Sequence, residues 1–117
     1  ELVTEIEIPL IEGAVMHYDK FRLRESVDFA IVSLATVLAK ENGKISGARI
    51  VFGGVAPIPV RMNELEGFLL GREINEQTAE EAGALAVKYA FPMDKNTYKL
   101  HEMKVMVSRA LFRLAEG

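Results

Sequence analysis

Residues 29–57 read Phe29-Ala-Ile-Val-Ser-Leu-Ala-Thr-Val-Leu-Ala-Lys-Glu41, then Asn42-Gly43, then Lys44-Ile-Ser-Gly-Ala-Arg-Ile-Val-Phe-Gly-Gly-Val-Ala-Pro57. Two apolar runs flank an Asn-Gly pair. Both residues tolerate positive φ, which a two-residue type I′ turn requires at its two central positions. That turn twists as the flanking strands do, so Asn42-Gly43 predicts a β-hairpin. In the second arm Ile45, Ile50, Val51 and Phe52 suit a pleated, half-buried surface. Gly53-Gly54 closes the arm, and Pro57 and Pro59 oppose further ladder pairing. The first arm has two readings, because Phe29, Val32, Ala35 and Ala39 also fit helical spacing. The turn and the β-branched Ile31, Val32, Thr36 and Val37 favour a strand.

Working outward, the chain has 117 residues, enough for one domain with a single core. Half of it is apolar and 26% is charged, an ordinary globular composition. The net charge of −3 gives no support for nucleic-acid binding. With no cysteine, the chain holds no disulfide, no thiolate zinc site and no cysteine-ligated iron–sulfur cluster. A cysteine-free chain suits the reducing cytoplasm. No apolar run approaches the roughly 20 residues of a membrane helix, and no signal-peptide pattern opens the chain.

The first residue is Glu1, and residues 2–8 alternate as a strand would, with Leu2, Thr4, Ile6 and Ile8 on one side and Val3, Glu5 and Glu7 on the other. A strand without a preceding turn or cap reads as the last piece of a sheet built upstream. The expectation is therefore a fragment of a longer protein, with a processed terminus as the alternative. Pro9 ends the strand and residues 11–14 form a connection. In residues 17–24 Lys20, Arg22 and Arg24 alternate with Phe21 and Leu23, so an extended chain would carry three cations on one face. Edge-strand cations that deter aggregation are the simpler reading; a positive strip facing an anion is the functional one.

Three helices follow the hairpin. Residues 60–70 place Met62, Leu65, Phe68 and Leu69 on one face, and Gly71 suits a left-handed C′ position. Asn75 can cap the second helix, whose inner face is slim: Ala82, Leu85, Ala86, Tyr89 and Ala90. Residues 97–115 form the third, with an apolar stripe through Leu100, Met103, Val107, Ala110, Leu111 and Leu114. Strands first and helices last predict an α+β fold: an antiparallel sheet covered on one face by three helices. The long last helix is the expected lid over the hairpin.

Catalytic patterns are sparse. His17 and His101 lack metal-ligand spacing, and Glu64, Glu66, Glu80 and Glu81 read as helix-surface acids rather than a general acid–base pair. The serines sit in no nucleophile elbow, and Gly53-Gly54 lacks the lysine and hydroxyl residue of a phosphate loop.

Several segments together resemble one family: the C-terminal domain of the FAD-binding medium subunit of molybdenum hydroxylases, of the carbon monoxide dehydrogenase and xanthine dehydrogenase type. They are Glu1-Leu-Val-Thr-Glu-Ile-Glu-Ile-Pro9, Tyr18-Asp-Lys20, Arg24 with Asp28-Phe-Ala30, Ile50-Val-Phe-Gly-Gly-Val-Ala-Pro57, and Tyr98-Lys99 leading to Ser108-Arg-Ala-Leu111. They occur in the family's order across nearly the whole chain.

The resemblance implies that residues 1–15 are the end of an upstream FAD-binding region and its connection. Residues 16–117 are then the C-terminal domain. FAD would be bound mainly upstream, with two cofactor-binding positions here. Val3 matches a backbone position near the isoalloxazine ring, and Lys20 matches the lysine of a Tyr-x-Lys motif at the ring's pyrimidine end. Gly53-Gly54 and Tyr98 would be structural. Implied partners are an iron–sulfur subunit and a molybdenum subunit of the same complex, which hold the clusters and the molybdenum cofactor. No nucleic acid or membrane is implied, and the fragment alone would not turn over. The short Pro92-Met-Asp-Lys-Asn-Thr-Tyr98 segment is more like flavin subunits acting on purines or nicotinate-type heterocycles than like the carbon monoxide form. The competing function is a non-enzymatic α+β module whose sheet edge or helix face docks a partner.

Overall fold

The computed structural model describes every residue except Ser26, Tyr89, Phe91, Met93, Asp94 and Gly117. The expected inner-face position of Tyr89 therefore lies outside the described residues. Four strands form one antiparallel sheet in sequence order: β1 (Ala14–Phe21), β2 (Val32–Glu41), β3 (Lys44–Gly53) and β4 (Val60–Arg61). Helices α1 (Asn63–Leu69), α2 (Glu76–Ala86) and α3 (Thr97–Glu116) follow.

The hairpin forms as expected. Asn42 and Gly43 have φ of 52° and 78°, and Glu41 pairs with Lys44 across the turn. Further up the hairpin the register shifts between Ala39 and Lys40, where Gly47 and Ile45 are the partners and Ser46 is the extra residue. One inserted residue changes the phase of a strand. Ile45 and Ala48, three apart, can therefore both point inward with Ile50 and Phe52. On β2 the inward residues are Val32, Leu34, Thr36 and Leu38. This face meets Leu65 and Leu69 of α1, Ala79, Ala82 and Ala86 of α2, and Met103, Met106, Val107, Ala110, Leu111 and Leu114 of α3 to form one core.

The helical layer is shared differently from the expected single lid. α3 lies over β1 and β2, α1 lies over β3, and α2 packs against both of those helices. Small residues on α2 allow its close approach to α3. A Cβ on Gly83 would stand 3.3 Å from the Lys104 carbonyl oxygen, and Ser108 Oγ donates to the Ala79 carbonyl at 3.2 Å. Asn75 caps α2 through its side-chain oxygen, which accepts from Thr78 N–H at 2.8 Å. Gly71 takes φ of 75°, and its N–H donates to Ile45 O at 2.8 Å while Arg72 O accepts from Ile45 N–H.

Three local expectations need correction. Residues 1–11 carry no regular secondary structure and are exposed, because an alternating segment becomes a strand only where a neighbour completes its ladder. β1 stops at Phe21, whose carbonyl accepts from Ile31 N–H at 2.8 Å. Arg22 and Arg24 thus fall in the following loop, and of the three alternating cations only Lys20 stands on the strand. Residues 60–61 pair with β3 instead of opening the helix, since the β3 edge offers ladder partners to a chain returning from Pro59. α1 begins at Asn63.

Candidate functional site

Directly paired antiparallel residues point to the same side of a sheet, so the register defines the second face. Opposite the helices it carries Met16, Tyr18 and Lys20 on β1. Their partners are Val37, Ala35 and Ser33 on β2, which in turn pair with Arg49, Val51 and Gly53 on β3. None of the three helices covers this face. Tyr18 is 62% exposed and Met16 53%, although both stand within a paired strand.

Lys20 sits at one end of the face. Its backbone N–H donates to Asp19 Oδ1 at 3.1 Å, and among the described residues its ammonium makes no hydrogen bond or ion pair. Ser33 lies directly across from it, and Gly53 lies beyond Ser33 in the same row. The loops that close this end touch each other closely. Gly54 takes φ of 75°, and a Cβ on it would stand 2.8 Å from the Ile31 carbonyl oxygen. Lys99 Nζ donates to Gly54 O at 2.9 Å, so the start of α3 is tied to the same loop. It is Lys99 that makes this tie, while Tyr98 is 49% exposed. Arg24 and Asp28 approach to 3.5 Å within the β1–β2 loop.

Val3 is 78% exposed in the irregular opening segment. Among the described residues no hydrogen bond joins it to Lys20.

The sequence reading missed Glu66. Taken as a surface acid, it is only 6% exposed. β4 covers just two residues of the β3 edge, and the next edge donor, Ile50 N–H, is met by Glu66 Oε1 at 2.9 Å. Arg61 grips the same carboxylate in a fork, Nε to Oε1 at 3.0 Å and Nη2 to Oε2 at 2.8 Å, with Arg49 at 3.8 Å. Burial works to raise the Glu66 pKa. The Arg61 and Ile50 hydrogen bonds and the charges of Arg61 and Arg49 outweigh it and hold the carboxyl below its ordinary value. In return, the hydrogen bond to Glu66 raises the pKa of Arg61. Every group here is partnered, so the cluster is a clasp between the sheet edge and α1.

Elsewhere, His17 is half-buried on the helix side of β1, with Nε2 2.8 Å from Arg113 Nη1 of α3. No group of three or more acidic, histidine or cysteine side chains among the described residues could hold a metal. An apolar cavity of about 390 Å³ lies between the β3–β4 loop, α2 and α3, lined by Val55, Val60, Met62, Ala86, Leu100 and Met103 among others. No described helix is long and apolar enough to cross a membrane.

An antiparallel sheet with three helices on one face and an exposed, partly aromatic and cationic second face defines an α+β domain. Residues 16–114 match the model of the CO dehydrogenase flavoprotein C-terminal domain, and the chain belongs to this family. The glyceraldehyde dehydrogenase medium chain of Sulfolobus acidocaldarius is 28% identical over 98% of this chain and 42% of its own length. The nicotine 6-hydroxylase medium subunit of Paenarthrobacter nicotinovorans is 33% identical over 76% of this chain and 32% of its own. In structure, the carbon monoxide dehydrogenase of Hydrogenophaga pseudoflava superposes with a TM-score of 0.81 at 28% identity, covering 90% of this chain and 38% of that one. The chain thus spans about two fifths or less of the length of these relatives.

Proposed function

We propose that this chain is the C-terminal domain of the flavin subunit of a multi-subunit molybdenum-containing oxidoreductase. In this reading residues 16–117 are the domain and residues 1–15 the end of an upstream FAD-binding region. The observation that carries it is the family match over residues 16–114, with TM-scores of 0.81 to carbon monoxide dehydrogenase and to quinoline 2-oxidoreductase. The relatives' names span an aldehyde, carbon monoxide, xanthine and nicotine. A domain common to such different substrates serves the shared part of the chemistry, the flavin, rather than substrate choice. Purine and nicotinate-type heterocycles are the substrates to test first, although part of the short segment that suggests them, Met93-Asp94, lies outside the described residues.

FAD, when bound, would accept electrons from iron–sulfur clusters in one partner subunit, downstream of the molybdenum site in another, and pass them to an external acceptor. The bare sheet face fits such a planar, anionic group. Lys20 offers an ammonium without a partner among the described residues, Tyr18 an exposed ring two residues away on the same side, and the row from Ser33 to Gly53 carries only small side chains. Lys20 would hold negative charge at the pyrimidine end, and the Val3 backbone would face the ring once the upstream region fixes it. The test is to purify the full gene product with its co-expressed neighbours. Copurified FAD, and a flavin band bleached by substrate under anaerobic conditions, are expected. A full-length product without flavin would overturn the reading in favour of a docking module.

Two further results are expected. The 117-residue chain purified by itself retains no stoichiometric FAD, because most of the flavin contacts lie upstream; a flavin absorbance band at one per chain would contradict this. In the full subunit, Lys20→Met lowers the two-electron flavin potential by about 30 mV, corresponding to about 1.4 kcal/mol. The sign follows from removing a cation that favours the more negative, reduced ring. An unchanged potential in a folded, FAD-loaded variant would class Lys20 as an ordinary edge lysine.

A further inference from the structure

We infer that Ser33 is a second polar contact for the group that Lys20 holds, and that Gly53 keeps its hydroxyl available. The inference rests on the flavin reading of the bare face. Lys20 and Ser33 are direct partners across β1 and β2, so both side chains leave the sheet on the same side. Val32 and Leu34 on either side point into the core, so Ser33 belongs to the open face. Its hydroxyl has no hydrogen-bond partner among the described residues, yet it is not among buried polar atoms left unsatisfied. It is therefore open on the bare face, with its donor free. The next position in the row is Gly53, where a Cβ would stand 2.5 Å from Ser33 Oγ. Any other residue at 53 would force the hydroxyl out of its present rotamer. Unlike Gly54, Gly53 does not have positive φ, so the turn itself does not require a glycine here. Room for Ser33 is a reason for it.

The serine and the lysine thus leave directly paired positions at one end of the face. A hydroxyl donates one directed hydrogen bond, which complements the undirected charge of the lysine at the electron-rich edge of a planar ring. The experiment uses the full-length subunit in four forms: wild type, Ser33→Ala, Ser33→Thr and Lys20→Met. FAD affinity, flavin potential and melting temperature are measured for each. Ser33→Ala is expected to weaken FAD binding about 3- to 10-fold, the range of one ordinary hydrogen bond. It should also lower the potential in the same direction as Lys20→Met, at unchanged melting temperature. Ser33→Thr, which restores a hydroxyl, is expected to recover both. If Lys20→Met shifts the potential while Ser33→Ala matches wild type in affinity and potential, Ser33 is a solvated surface hydroxyl and the inference is wrong. If neither variant moves either quantity, the flavin reading of this face fails and the inference falls with it.

Discussion

Gly54→Ala should destabilise the domain by roughly 3 kcal/mol, from two additive causes. A side chain at φ of 75° pays the strain of the left-handed region, and its Cβ would stand 2.8 Å from the Ile31 carbonyl oxygen and 3.4 Å from that of Ala30. Both obstacles are backbone, and Ile31 is pinned by its hydrogen bond to Phe21 O, so the contact cannot be relieved by a rotamer change. The neighbouring Gly53→Ala is the control. Its Cβ meets the end of a flexible serine, and the cost should stay below about 1.5 kcal/mol. Urea denaturation midpoints at constant m-value decide the matter. Equal losses at the two positions would show that the Gly54 contact is relaxed in solution. A loosened Gly54 loop would also free Lys99, and with it the first turn of α3.

The second large effect concerns Glu66. Glu66→Ala removes the acceptor of the Ile50 N–H and strips Arg61 of its fork, for an expected loss of about 2–4 kcal/mol. The figure is below that for a fully buried pair because Arg61 is half exposed and can turn to water. Glu66→Gln still accepts from Ile50 and should cost less. The pH dependence separates charge from shape. The fold holds the Glu66 carboxyl below its ordinary value, so the unfolded chain takes up the proton first as pH falls. The stability that Glu66 contributes is complete above the unfolded carboxyl pKa, about 4.3, and fades as the pH drops through the lower folded value. Stability curves for wild type and Glu66→Gln should therefore converge in acid, diverge as the pH rises towards about 4.3 and stay apart above it. Parallel curves over the whole range would mean that the clasp works through shape alone.

Local chemistry was enough for several elements. Asn42-Gly43 can serve a hairpin because both residues enter positive φ cheaply, and that preference holds in any context. Asn75 caps α2 for an equally local reason, its side chain reaching the N–H three residues on. The 3.6-residue stripe from Met103 to Leu114 fixes which face of α3 is buried. From these follow the strands-then-helices order and the α+β fold. The family resemblance, carried by short motifs spread along the chain, belongs to the sequence as well.

Other features depend on partners distant in the chain. Glu66 looks like any helix-surface acid until a two-residue β4 leaves the Ile50 N–H uncovered beside it. Residues 2–8 alternate like a strand, but alternation states only which sides would differ; a ladder needs a neighbour, and none is supplied. Lys20, Arg22 and Arg24 alternate as well, yet β1 ends at Phe21, where the Ile31 N–H bonds back from beyond the reach of any local rule. The row Lys20–Ser33–Gly53 is likewise a product of register, in which three strands bring together residues that have no pattern in common along the chain. Sequence determined the hairpin turn, the α2 cap and the buried face of α3, since those depend on neighbours within about four residues. Tertiary structure alone decided the bare face, the clasp and the row beside Lys20, since hydrogen-bond pairing across strands selects their members.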